Sequence, residues 1–296
     1  MSMTTKRMLP AVAAAATVLV AGPARADWTA LNMTEGVTTL SKEIYDLHML
    51  ILWICVAIGV VVFGAMIYSL VKYRKSQGAV ADTSVLHNDK VEFIWTVIPV
   101  FILVAMAVPA AKTLLEIEDM SGSQLTVKAT GYQWQWRYDY LDEGIGFYSR
   151  LAESSNQARQ LDSGIEPTSV ENYLLEVDNP LVVPEDTKVR LLLTANDVIH
   201  AWWVPQLAVK RDAIPGFVNE LWFKANEPGT YRGQCAELCG RDHGFMPIVV
   251  IVKTKDDYAA WLKSEQAKTQ QASAAPAAAT AQIPATAPVA TLALAE

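Results

Sequence analysis

The chain has 296 residues, 52% of them hydrophobic, with a mean hydropathy of +0.19. That apolar share exceeds an ordinary soluble domain's, and it falls in blocks, as expected of membrane segments joined to a soluble domain. A net charge of −7 and a pI near 5.2 argue against nucleic acid as a partner, since a phosphate backbone requires a basic face. The acidity fits a solvated surface or, more sharply, a docking face for a basic partner.

Residues 1–26 read as a secretory signal. Lys6 and Arg7 form the basic start, Ala11 to Gly22 is a short apolar run, and Ala24-Arg25-Ala26 is a small-x-small cleavage site. The run is shorter than the ~20 residues a membrane helix needs; the alternative is a retained anchor. Two longer apolar runs follow in residues 27–118, at about Leu47 to Val71 and about Val91 to Leu115. Both are long enough to span a bilayer. Pro99 and Pro109 lie in the second, where neighbouring groups can satisfy the freed carbonyls. Lys72, Arg74, Lys75 and Lys90 cluster between the runs, while Asp27, Glu35, Glu43 and Asp46 precede them. The positive-inside rule places the connection in the cytoplasm and both mature termini outside.

From about Ser121 the period shortens. Leu125 to Ala129, Trp134 to Tyr140, Tyr173 to Val177, Val189 to Thr194, Leu221 to Lys224, Thr230 to Gln234 and Pro247 to Val252 read as short strands between turn residues, the pattern of an all-β sandwich or barrel. Gly144 to Thr168 lacks periodicity and reads as an insertion or long loop. Asp256 to Ser264 reads as a short closing helix. Residues 267–296, rich in Ala, Pro, Thr and Gln, are expected to be disordered.

The chemistry lies between Cys235 and Met246. Cys235, Cys239, His243 and Met246 place two thiols, an imidazole and a thioether in one loop, and His200, between two strand candidates, offers a second imidazole. Thiolate and thioether are soft donors, and imidazole suits copper and zinc alike. Cys55, in the first apolar run, reads as an inert packed side chain. A disulfide between Cys235 and Cys239 fits an oxidising compartment but gives the other donors no shared purpose. A Cys2His2 zinc site leaves Met246 idle. A mononuclear blue-copper site uses one Cys, two His and a weak Met, one thiolate fewer than the loop offers. The extra thiolate can bridge two copper ions, and this binuclear reading is favoured over the others.

With these residues in view, the sequence resembles subunit II of the haem-copper cytochrome c oxidases. Beside the Cys-x3-Cys-x3-His-x2-Met loop stand Asp197 to Trp202, Lys210 to Gly216, the aromatic run Gly131 to Tyr140, and Glu92 to Thr96 at the start of the second apolar run. The resemblance covers most of the mature chain. It implies an all-β cupredoxin-like Greek-key barrel, over residues 119–266, on an N-terminal two-helix transmembrane hairpin. It implies a binuclear copper A centre bridged by Cys235 and Cys239, with His200 and Met246 completing one metal and His243 and the Glu237 carbonyl the other. The Glu237 carboxylate would bind a magnesium ion shared with subunit I. Trp134 would be the exposed point of electron input, Asp139 and Asp197 would lie on the cytochrome-docking face, and Glu92 would stand at the mouth of a proton channel. Trp136 and Tyr138 read as core.

The expected partners are cytochrome c, the haem-bearing subunit I, where oxygen is reduced to water, and subunit III. The expected setting is a bacterial inner membrane with a periplasmic copper domain. No Cys-x-x-Cys-His occurs, so the variant with a fused haem c domain is excluded. A quinol-oxidising relative would lack the copper donors, and a nitrous oxide reductase copper domain would lack the hairpin. A copper chaperone would offer fewer, more exchangeable donors.

Overall fold

The structure, a computed structural model, describes residues 32–80, 84 and 87–274. The expected signal at residues 1–26 and the tail beyond residue 274 lie outside the described residues. Helix α1 (Thr39–Lys72) starts earlier than its apolar run because Thr38 and Ser41 form a capping box. The Ser41 N–H donates to Thr38 Oγ1 at 2.8 Å, and the Thr38 N–H to Ser41 Oγ at 3.0 Å, satisfying two otherwise orphaned donors. At ~1.5 Å per residue, α1 is longer than the ~30 Å apolar slab of a bilayer. Its first turn instead packs on the β domain, where Leu40 and Ser41 are buried. Helix α2 (Asp89–Ile117) is capped by Asn88, whose side chain accepts from the Val91 N–H, and contains Pro99 and Pro109. Both helices are long and apolar enough to cross a membrane, with mean hydropathies of 2.9 and 2.4 in windows left unburied by the rest of the chain.

Ten strands build the β domain: β1 (Leu125–Tyr132), β2 (Gln135–Tyr140), β3 (Ile145–Ser149), β4 (Leu181–Pro184), β5 (Val189–Ala195), β6 (His200–Val204), β7 (Val209–Ala213), β8 (Asn219–Phe223), β9 (Gly229–Cys235) and β10 (Pro247–Lys253). They form two five-stranded sheets, ordered β3-β2-β1-β5-β8 and β4-β10-β9-β6-β7. The pairs β1/β5 and β4/β10 are parallel, so the chain crosses between layers rather than running as a simple meander. Strict alternation in β2 and β5 puts Trp136, Tyr138, Tyr140, Val189, Leu191 and Leu193 inside. From the second sheet come Trp202, Ile248, Val250 and Val252. Two bonds between the layers satisfy buried polar groups: Trp202 Nε1 donates to the Tyr138 hydroxyl at 3.2 Å, and the Tyr140 hydroxyl donates to the Val182 carbonyl at 2.7 Å. A buried polar group without such a partner would cost stability.

Several local expectations give way. Gly144 to Thr168 is not a bare loop: it holds β3 and the short helix α3 (Glu153–Ala158). Tyr173 to Val177 is not a strand, because Asn172 and Leu174 adopt left-handed backbone angles, and only Val177 bridges, to Leu151. The closing helix α4 (Lys255–Ala274) runs into the stretch expected to be disordered. Its Ala, Gln, Lys and Glu are good helix formers, and the first tail proline is Pro276. Trp134 is not on the strand but in the tight turn between β1 and β2, beyond the last paired residues Tyr132 and Gln135.

The hairpin and the β domain are tied where they meet. The Val37 N–H donates to the Gln206 carbonyl and the Asn226 N–H to that of Val37. Trp222 Nε1 donates to the Glu116 carbonyl at 3.1 Å, Lys188 Nζ to those of Asp119 and Ser121, and Arg211 pairs with Glu118 at 2.7 Å.

Candidate metal centre

Pairing across β6 and β9 creates the inner half of the site. His200 and Trp202 share the inward face of β6, and Cys235, the last residue of β9, stands opposite Trp202. The chain then leaves the sheet, passes Glu237 and Cys239, makes a 3-10 turn at His243–Phe245, and re-enters at β10 after Met246. The Cys235 N–H donates to the Met246 carbonyl, closing the loop at its base.

The donors converge. Cys235 and Cys239 are free thiols with sulfurs 3.9 Å apart. His200 Nδ1 lies 3.9 Å from Cys235 Sγ, and His243 Nδ1 lies 3.5 Å from Cys239 Sγ. Met246 Sδ is 3.5 Å from Cys239 Sγ, and the Glu237 carbonyl is 3.4 Å from Cys235 Sγ. The ligand atoms of His200, Cys235 and Cys239 all fall within 4.8 Å of one another. Each thiol therefore has its own imidazole, and the thioether and carbonyl lie at the edges. This soft, nitrogen- and sulfur-rich set fits copper; a four-ligand zinc shell would leave Met246 unused. Trp136 stands edge-on to His200, with ring centroids 5.9 Å apart, and supplies an apolar wall.

The titratable groups are coupled. Burial opposes ionisation of Cys235, but contacts with His200 and with the backbone at Ala201 and Glu237 hold its thiol below the ordinary value. Burial, and then the charge on Cys235, push Cys239 up to about 12. A bound cation would reverse that balance, because metal ligation deprotonates a thiol. Burial also opposes a charge on His200, yet Cys235 and Asp197 together raise its pKa.

A web of hydrogen bonds fixes the site from behind. Asp197 Oδ1 is 2.9 Å from His200 Nε2 and accepts the Val198 N–H, while Oδ2 accepts the Gln133 N–H at 2.7 Å. The Asp197 carboxyl is disfavoured by burial, but these donors hold it below its usual range. Such a carboxylate fixes which imidazole nitrogen is free to ligate. Gln133 Nε2 and Trp134 Nε1 both donate to the Cys239 carbonyl, at 2.9 and 3.2 Å. Two glycines permit the close approach. A Cβ on Gly131 would come within 2.7 Å of His200 Cδ2, and Gly240, at φ +116°, faces the Gln133 amide and the Trp134 indole.

The remaining expected site residues are dispersed. Trp134 is half-buried, not fully exposed, and its indole is bonded to the main chain of a cysteine in the site. The Glu237 side chain is exposed. Asp139 lies along β2, paired with Arg137 at 2.8 Å and Lys128 at 3.5 Å, so its charge is already matched. Glu92 is in the first turn of α2, where its carboxylate accepts the Asn88 N–H. Sequence reasoning missed Gln133 and the bracing role of Asp197. Their bonds join residues 64 and 106 positions apart; the one available signal was the juxtaposition of Gln133 with the aromatic run.

Residues 125–253 match the family described as cytochrome C oxidase subunit II, periplasmic domain, and residues 26–113 match its transmembrane domain. The probable cytochrome c oxidase subunit 2 of Rickettsia bellii (strain RML369-C) is 40% identical over 227 residues, 76% of this chain and 80% of the relative. Cytochrome c oxidase subunit 2 of Cereibacter sphaeroides is 36% identical over 242 residues, 79% of this chain and 80% of the relative. The crystal structure of the periplasmic domain of subunit II of cytochrome oxidase of Bradyrhizobium japonicum is 42% identical, with a TM-score of 0.43, covering 51% of this chain and 99% of that one. The fold is thus a cupredoxin-like β domain on a two-helix membrane hairpin, in a family that implies a copper centre. With both halves matched and relatives similar along most of their length, this chain belongs to the cytochrome c oxidase subunit II family.

Proposed function

We propose that the chain takes electrons from cytochrome c at a binuclear copper centre and passes them to the haem-bearing subunit I, where oxygen is reduced to water with proton translocation. The observation that carries this reading is the paired donor set, two thiols 3.9 Å apart, each beside its own imidazole. When bound, the copper pair would supply one-electron redox chemistry at a soft, sulfur-rich site. The thiols of Cys235 and Cys239 would hold both ions, with His200 and Met246 as further donors to one and His243 and the Glu237 carbonyl as further donors to the other. Asp197 holds His200 by Nε2 and leaves Nδ1 to ligate.

Trp134 is assigned to electron input. Its hydrogen bond to the Cys239 carbonyl offers a short path from the domain exterior to a bridging sulfur. The exposed Glu237 carboxylate suits magnesium, a hard cation that prefers oxygen, shared with subunit I. Glu92, at the start of α2, is assigned to a proton-channel mouth. A cytochrome that used Asp139 or Asp197 would have to compete with Arg137 or His200, so these acids carry a minor share of docking. Residues 1–26 are the leader, residues 27–118 the hairpin, residues 119–274 the copper domain with its closing helix α4, and the residues after 274 the tail. Lys72, Arg74, Lys75 and Lys90 favour a cytoplasmic connection and a periplasmic copper domain in a bacterial inner membrane, beside subunits I and III.

The test is copper stoichiometry with electron delivery. The purified chain, separated from the haem-copper subunit I, should hold two copper ions per copy and accept electrons from reduced cytochrome c. A single ion, or cytochrome c that fails to reduce the centre, would contradict the proposal.

A further inference from the structure

His200 and His243 are held in different ways. His200 is fully buried, with its Nε2 bonded to Asp197. His243 is half-buried and, among the described residues, its Nε2 has no hydrogen-bond partner. Its aim at Cys239 therefore depends on the turn that carries it. That turn belongs to neither sheet and is closed by the His243 N–H on the Gly240 carbonyl and the Phe245 N–H on that of Asp242.

Arg159 brackets this turn from outside. One guanidinium nitrogen lies 3.4 Å from Asp242 Oδ2, and the guanidinium carbon lies 4.3 Å from the centre of the Phe245 ring. Both contacts flank His243 in sequence, one on each side. Arg159 is itself anchored: its Nε donates to Asn156 Oδ1 at 2.9 Å, and it caps the C-terminus of α3. In turn, α3 is fixed through buried Ser155, whose hydroxyl accepts the Leu174 N–H. A planar guanidinium is better suited than an ammonium to pair with a carboxylate while lying flat over an aromatic ring. The contacts form one wall of a cleft of about 440 Å³ that Trp134 also lines.

We propose that Arg159 is a positioning residue for His243, an outer clamp that acts through Asp242 and Phe245 on the turn carrying this imidazole, where Asp197 holds His200 directly. It rests on the reading of this loop as a copper centre. The segment containing α3 thereby gains a role, since it carries the clamp.

The experiment uses the full chain with Arg159→Ala and Arg159→Lys. In the copper-free chain, R159A should speed amide hydrogen exchange at residues 242–246 while β1, β5 and β10 exchange as in wild type. In the copper-loaded chain, R159A should lose copper to a chelator ~10–100-fold faster, the range typical of lost outer-shell partners, with altered imidazole hyperfine coupling. R159K, which keeps the charge beside Asp242, should lie between R159A and wild type. Wild-type exchange and copper loss in R159A would overturn the proposal. So would faster exchange spread evenly through the strands, which would make Arg159 a general fold residue. If the wild-type chain bound no copper, the metal reading would fall, and exchange at residues 242–246 would still decide whether the clamp exists.

Discussion

Replacing Asp197 separates two roles for this acid, bracing His200 and docking a basic cytochrome. Its Oδ1 takes the His200 bond at 2.9 Å and the Val198 N–H at 2.7 Å; its Oδ2 takes the Gln133 N–H at 2.7 Å. In Asp197→Asn, the remaining oxygen can keep the first two bonds, but the amide NH2 then faces the Gln133 N–H, donor against donor. Leaving such a group unsatisfied costs about 1–3 kcal/mol, and the partly exposed carboxylate, at 28%, favours the low end. Asp197→Ala removes all three bonds. Losing an outer-shell carboxylate costs roughly 10–100-fold in metal affinity, or about 1.4–2.7 kcal/mol. The assay follows copper loss to a chelator in parallel with the ionic-strength dependence of KM for cytochrome c. The expected result is faster copper loss in both variants, larger for Ala, with a nearly unchanged salt dependence of KM. Wild-type copper retention with a weakened salt dependence would refute the bracing role and restore docking.

Gly131→Ala should push a methyl group into His200, since the added Cβ would sit 2.7 Å from Cδ2. Overpacking of this kind costs roughly 1–3 kcal/mol, so calorimetry of the copper-free chain should show a lower Tm and the loaded chain a lower copper content; wild-type values in both would refute the close approach. Tyr138→Phe should leave buried Trp202 Nε1 without its acceptor, at about 1–3 kcal/mol. Chemical denaturation should then show a lower midpoint with copper binding intact, and an unchanged midpoint would count against the bond. Trp134→Ala should slow cytochrome c oxidation while the copper stays bound. Normal turnover would remove Trp134 from electron input, and copper loss would show that its bond to Cys239 is structural instead.

What the sequence revealed follows the distance over which residues act. Cys235, Cys239, His243 and Met246 lie within one loop, so the convergence of their donor atoms was legible from spacing. His200 was legible because histidines are few. The alternation of β2 and β5 gave their buried faces directly. The bracing of the site was hidden, because Asp197, Gln133 and Arg159 act on residues 3 to 106 positions away, through pairings that only the folded sheets create. Trp134 misled for a local reason: its period matches Trp136 and Tyr138, yet the hairpin turns before it can join the strand. The early start of α1 came from a capping box, which apolar content does not register, and the extension of α4 from polar helix formers in a segment judged by its distant prolines.

The binuclear assignment is tested most directly by low-temperature electron paramagnetic resonance of the copper-loaded chain in its mixed-valence, Cu(I)Cu(II) state. One unpaired electron shared equally by two copper nuclei should give a seven-line hyperfine pattern. A four-line pattern, from an electron confined to one copper, would contradict a pair bridged by Cys235 and Cys239.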